Sequence, residues 1–145
     1  MNWLVLAVRV LLGALFVVAG ASKVGHADLF AAEIAGFRLL PAAVIAPIAI
    51  ALPFLEMLLG VYLILGLFTR TAAWIAVALF AVFDLAIASA VVRGMTISCG
   101  CFGPSDATVT SWAEVARDAV LVVLAALVAL RPPGTFALDR RIGNA

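Results

Sequence analysis

Four long runs of apolar side chains divide the sequence. The first extends from Trp3 to about Ala21 and is broken only by Arg9. The second spans Ala42 to Phe68, with Pro47, Pro53 and Glu56 inside it. The third spans Thr71 to Val92 and contains Asp84. The fourth spans about Ser111 to Leu130, with Glu114, Arg117 and Asp118 near its start. A helix needs about 20 apolar residues to cross a bilayer, and all four runs meet that length. Lipid offers the backbone no hydrogen-bond partners, so each run is expected to be helical. Between the first two runs, Phe30, Ile34 and Phe37 recur at helical spacing among Asp28, Glu33 and Arg38. That spacing predicts a short amphipathic helix lying on the membrane surface. The pattern as a whole predicts an all-α integral membrane protein, a four-helix bundle with an interfacial helix between helices one and two. Residues 1–131 form the bundle. Residues 132–145, which open on Pro132-Pro133, are expected to be a loose polar tail.

Composition supports a lipid solvent. Of 145 residues, 67% are hydrophobic and 12% charged, against about 45–50% and about 25% in soluble domains. The net charge of +1 argues against a nucleic-acid partner. Trp3, Trp74 and Trp112 fall at run ends, where indole favours the headgroup level. Ala19-Gly20-Ala21 has the form of a signal-peptide cleavage site, but Met1-Asn2-Trp3 lacks the basic start that a signal peptide needs. The first run is therefore expected to stay as a span. Arg70, Arg131, Arg140 and Arg141 lie on the side of the termini and of a turn expected at Thr69-Arg70, whereas Lys23, Arg38 and Arg93 lie on the other. This bias predicts both termini in the cytoplasm. The loop between the third and fourth runs then faces the periplasm, where disulfides persist.

A charge deep in a bilayer costs at least about 2.5–3.5 kcal/mol on insertion scales and needs a partner or a purpose. Asp84 and Arg117 reach similar depth from adjacent runs and are expected to pair, with Glu114 and Asp118 as competitors. Glu56 lies near the middle of the second run, and no basic residue matches its depth by residue count. Arg9 is the nearest candidate. An unpaired Glu56 would be protonated and able to relay protons or donate a hydrogen bond to a quinone. Arg9, Gly13, Phe16 and Gly20 share one helical face, as do Pro53, Glu56 and Gly60. Small residues at such spacing permit close helix packing.

The only two cysteines flank a glycine in Ser98-Cys99-Gly100-Cys101-Phe102-Gly103-Pro104. Glycine permits the sharp backbone of a very small disulfide ring. Such a ring is strained and easily reduced, and it adds little stability because the loop it closes is tiny. Thiol–disulfide exchange by Cys99 and Cys101 fits these properties best. A static disulfide and inert thiols remain as alternatives. Metal binding with His26 is disfavoured, because three ligands fall short of a closed structural zinc site.

The Cys99-Gly100-Cys101-Phe102-Gly103 stretch after a third membrane segment resembles the MauE family of methylamine-utilisation membrane proteins. The first half resembles the broader DoxX group through Arg9, Gly13, Phe16, Gly20 and Lys23, then Pro53, Glu56 and Gly60. The resemblance implies a redox-associated four-helix membrane bundle. It implies a role in maturing a disulfide-rich periplasmic enzyme of the methylamine dehydrogenase type, with a thioredoxin-like protein or the client itself as partner. Asp84, Arg117, Glu56 and Arg9 would support the cysteines. One cysteine pair provides no relay between two pairs, and a membrane quinone is the cofactor such chemistry would call on. The competing functions are a non-enzymatic assembly or export factor and a quinone-binding oxidoreductase subunit.

Overall fold

The computed structural model describes residues 2–98, 109–131 and 136–142. Among them the chain is all-helical: α1 (Asn2–Lys23), α2 (Ala27–Gly36), α3 (Ala42–Leu65), α4 (Thr69–Val92), α5 (Trp112–Leu130) and the short α6 (Asp139–Ile142). Three of these, α1 from Trp3, α3 and α4, are long and apolar enough to cross a membrane. The fourth run forms α5, which has 19 residues but carries Glu114, Arg117 and Asp118 in its first two turns. The expected surface helix is α2. Pro47 and Pro53 both lie inside α3.

α1 packs chiefly on α3, and α4 on α5. One core joins the four helices. Leu12 and Phe16 of α1 meet Leu59 and Leu63 of α3, Ala72, Ala73 and Ala76 of α4, and Ala125, Val128 and Ala129 of α5. The outside of the protein is apolar as well, with Leu4, Val18, Phe54, Val82, Leu85 and Val123 exposed. Meanwhile Arg9, Lys23, Glu56 and Asp118 are buried. This distribution is the reverse of a water-soluble globule and belongs to a protein in lipid.

The α1–α3 contact depends on glycine. A Cβ on Gly20 would lie 2.5 Å from the carbonyl oxygen of Pro53, one on Gly13 would lie 2.7 Å from that of Gly60, and one on Gly60 would lie 2.5 Å from that of Gly13. With no hydrophobic drive between helices inside lipid, such backbone-to-backbone approach is a main source of attraction.

Several boundaries differ from expectation. α1 continues to Lys23, past the expected end at Ala21, because Lys23 is buried and the Ser22 hydroxyl donates back to the Ala19 carbonyl at 2.8 Å. α3 stops at Leu65, not Phe68, where Gly66 takes a left-handed conformation (φ 70°) and caps it. The turn is consequently Gly66–Phe68, and Thr69 and Arg70 belong to α4. α5 begins on a cap the hydrophobic pattern did not reveal: the Ser111 hydroxyl accepts from the Glu114 amide at 3.4 Å, in a Ser-x-x-Glu spacing.

The tail, expected to be loose, is docked over residues 136–142. The amides of Leu138 and Asp139 donate to the carbonyls of Leu65 and Gly66 at 3.3 and 3.0 Å. The Asp139 carboxylate accepts from the amides of Phe68 and Thr69 at 2.6 and 2.7 Å. It thus caps α4 from seventy residues away, a task that Phe68 cannot perform for its own helix.

Two outcomes are expected. Gly20→Leu forces α1 off α3 and lowers stability by about 1–3 kcal/mol, read by thermal unfolding in detergent against the lipid-facing control Val18→Leu. Asp139→Ala removes a cap worth about 0.5–2 kcal/mol, read as faster hydrogen exchange at Phe68 and Thr69.

Candidate functional site

Cys99 and Cys101 lie outside the described residues, but both stems of their loop are described. Gly94–Ser98 leave the end of α4, and Val109–Ser111 lead into α5. Ser98 and Val109 form an antiparallel bridge. The Thr110 amide donates to the Ile97 carbonyl at 2.9 Å. The Thr110 hydroxyl, which is buried, donates to the Met95 carbonyl at 2.9 Å and accepts from the Ile97 amide at 3.4 Å. Arg93 ties this neck to α2, its Nη2 donating to the Phe37 carbonyl at 2.6 Å and its Nε to Ser89 at 3.2 Å. The loop thus springs from a braced neck at one end of the helices.

Beneath it lie the buried charges. The expectation that Glu56 has no basic partner at its depth is corrected. Lys23 Nζ donates to Glu56 Oε2 at 3.0 Å and to Oε1 at 3.2 Å, with the two side chains 1% and 4% exposed. Side-chain direction explains the difference. In a helix, side chains lean toward the N-terminus. α1 and α3 are antiparallel, so Lys23 leans back toward Gly20 and Glu56 leans back toward Pro53. Gly20 and Pro53 face each other, and the two charges meet there. Lys23 Nζ also lies 5.2 Å from the ring centroid of Phe30, a cation–π contact that draws in α2.

Arg9 does not serve Glu56. It is 1% exposed and sits at the opposite end of α1, against Gly66 and Ala137, within electrostatic range of Asp139. Its Nε and Nη1 have no hydrogen-bond partner among the described residues.

Asp84 and Arg117 are not brought together as a pair. Arg117 Nη2 contacts Glu114 Oε2 at 2.6 Å and Asp118 Oδ1 at 3.1 Å, and its Nε donates to Asp118 Oδ1 at 3.1 Å. Neighbours on the same helix reach the guanidinium with less ordering than an acid on α4. Asp84 Oδ1 is buried without a hydrogen-bond partner. Asp118 and Glu56 both line a cavity of about 40 Å³ between α1, α3, α4 and α5, walled by Phe16 and Phe80. That is room for water held by carboxylates. Among the described residues no group of three His, Cys, Asp or Glu side chains could hold a metal ion.

The family model described as "Methylamine utilisation protein MauE" matches residues 1–131. The chain belongs to the MauE family. It is 38% identical over 128 residues to the methylamine utilization protein MauE of Paracoccus denitrificans, covering 88% of this chain and 69% of that one. The MauE of Paracoccus versutus is 42% identical over 135 residues, covering 89% and 73%. That of Methylorubrum extorquens is 37% identical over 142 residues, covering 95% and 76%. No solved structure matches the chain. The matched region of this MauE-family chain contains the cysteine loop, its neck and every buried charge among the described residues.

Lys23, Thr110 and Asp139 lie outside the expected set of supporting residues, and Asp118 enters it only as a competitor for Arg117. Lys23 carried a signal, for it continues the Arg9, Gly13, Phe16, Gly20 face by three more residues. Thr110 and Asp139 act on backbone groups of distant segments, and nothing in local sequence marks that.

Breaking the central pair tests it. Lys23→Met strands the Glu56 carboxylate and is expected to cost about 3–5 kcal/mol. Adding Glu56→Leu should restore most of the loss. Denaturant unfolding in micelles checks both, and equal losses in the single and double variants would contradict the pairing.

Proposed function

We propose that this MauE-family chain is a membrane thiol–disulfide redox protein that supports maturation of a periplasmic enzyme in methylamine utilisation, the process for which its relatives are named. The observation that carries the reading is the braced neck. Two hydrogen-bonded stems, tied to α2 and set at one end of apolar helices, present the segment that contains Cys99-Gly100-Cys101.

In this reading α1, α3, α4 and α5 span the plasma membrane as a four-helix bundle over residues 1–131. The termini, with residues 132–145, lie on the cytoplasmic side and the cysteine loop on the periplasmic side. Supporting α5 as a fourth span, its residues Ala125, Val128 and Ala129 join the shared core, and Asp118 is 3% exposed. Its charges thus turn toward protein while Val120, Val123 and Leu127 remain outside.

The chemistry needs only sulfur. The thiolate of one cysteine attacks a partner disulfide, forming a mixed disulfide and releasing one partner thiolate. The second cysteine attacks the mixed bond, closes the Cys99–Cys101 ring and frees the partner as a dithiol. Two electrons have then passed from this chain to the partner, and the reverse sequence returns them. A strained small ring keeps both directions accessible. The partner is a periplasmic thioredoxin-like protein or the disulfide-rich client itself. Glu56, Asp84 and Arg117 form the framework below the loop, with Glu56 held by Lys23, and Arg9 braces the opposite end of the helices.

The Cys99→Ser/Cys101→Ser double variant is expected to lose client maturation while keeping its unfolding temperature. Either single variant should trap a mixed disulfide visible on non-reducing gels. A membrane-impermeant maleimide should label the reduced wild type in intact cells. Full maturation by the double variant would sink the redox reading and leave an assembly factor.

A further inference from the structure

An apolar groove of about 610 Å³ runs between α3 and α4, with α2 along one side. It is separate from the cavity that holds Glu56 and Asp118. Its walls include Phe37 and Leu40 near the loop end, Leu52 on α3, and the stretch of α4 from Leu79 to Ser89. The ten steps of helix from Leu79 to Ser89 make the groove about 15 Å long at 1.5 Å per residue. That is half of the roughly 30 Å hydrocarbon core of a bilayer. It therefore begins at the loop end of the helices and stops near the membrane midplane, the depth of one leaflet's acyl chains.

Its mouth is basic. Arg38, exposed, falls between the lining residues Phe37 and Leu39. Arg93, also exposed, reaches the Phe37 carbonyl with Nη2 at 2.6 Å. Glu33 is the acidic residue in the lining and Ser89 its hydroxyl. Both lie toward the loop end, at the level of a lipid's glycerol and ester groups.

We infer that this groove binds one phospholipid of the leaflet on the loop side, its acyl chain in the slot and its anionic phosphate head between Arg38 and Arg93. Length and polarity favour this occupant together. A groove one leaflet deep, apolar along its length and cationic only at the mouth, is complementary to an anionic amphiphile. Bound there, the lipid touches α2, α3 and α4 at once, beside the contact by which Arg93 ties the neck of the cysteine loop to α2. The site stands whether or not the cysteines exchange electrons.

The test uses the full chain with Cys99→Ser/Cys101→Ser, so that thiol chemistry does not enter. The protein is purified in mild detergent and titrated with phosphatidylglycerol or phosphatidylcholine, and retained lipid is counted by native mass spectrometry. The expected result is one retained phosphatidylglycerol. Ala86→Trp and Leu52→Trp, which fill the slot, should each cut retention at least tenfold, whereas Val123→Trp on the exposed face of α5 should not. Arg38→Gln should abolish the preference for phosphatidylglycerol over phosphatidylcholine while keeping the fold. Equal retention in the slot-filling variants and the Val123→Trp control would overturn the site. So would a co-purified quinone that Ala86→Trp displaces in place of phospholipid. An unchanged lipid preference in Arg38→Gln would overturn the head-group assignment.

Discussion

The bare backbone contact between α1 and α3 is the constraint on which the rest of the structure depends. Glycines at 13, 20 and 60 let two helices approach until a single added carbon would strike a carbonyl. Because the helices touch so closely, they have one permitted register. That register sets Lys23 on Glu56, and Lys23 in turn draws Phe30 and the surface helix inward. Without the close approach, both charges would have to find water or lipid head groups. With it, they neutralise each other in the interior. The pair is better understood as a register mark than as a source of net stability, since desolvation offsets much of what the attraction returns.

The same logic explains why the exterior is so uniformly apolar. Ionisable groups have been turned inward or toward each other on three of the four long helices: Arg9 on α1, Glu56 on α3, Asp118 on α5. What remains for the outside is leucine, valine and phenylalanine. The polar business of the molecule is concentrated at its two ends. One end carries the neck of the cysteine loop, gathered by Thr110 and Arg93. The other carries the turn between α3 and α4, closed by the tail.

The helices were legible in sequence because lipid demands long apolar runs, and those runs survive any detail of packing. The MauE resemblance was legible because Cys99-Gly100-Cys101-Phe102-Gly103 is a compact motif in a chain with little other chemistry. Partnerships were harder. Depth counted along the backbones leaves Glu56 without a basic neighbour, whereas Lys23 and Glu56 lean toward each other by their side-chain lengths. Asp84 and Arg117 match in depth, yet Arg117 is held by Glu114 and Asp118 on its own helix. The boundary at Gly66 is hidden in sequence because the apolar run continues through Leu67 and Phe68, and only backbone conformation ends the helix there. The docking of Asp139 joins residues seventy positions apart, and no periodicity connects them.

Asp139 also imposes an order of events on the making of the protein. The amides it accepts from open α4, but the carboxylate itself lies seventy residues beyond Thr69, after α5. Until Asp139 has been synthesised, the leading edge of that helix has no such acceptor. The hairpin of α3 and α4 thus enters the bilayer unsealed, and the molecule fastens it only when the segment beyond α5 arrives.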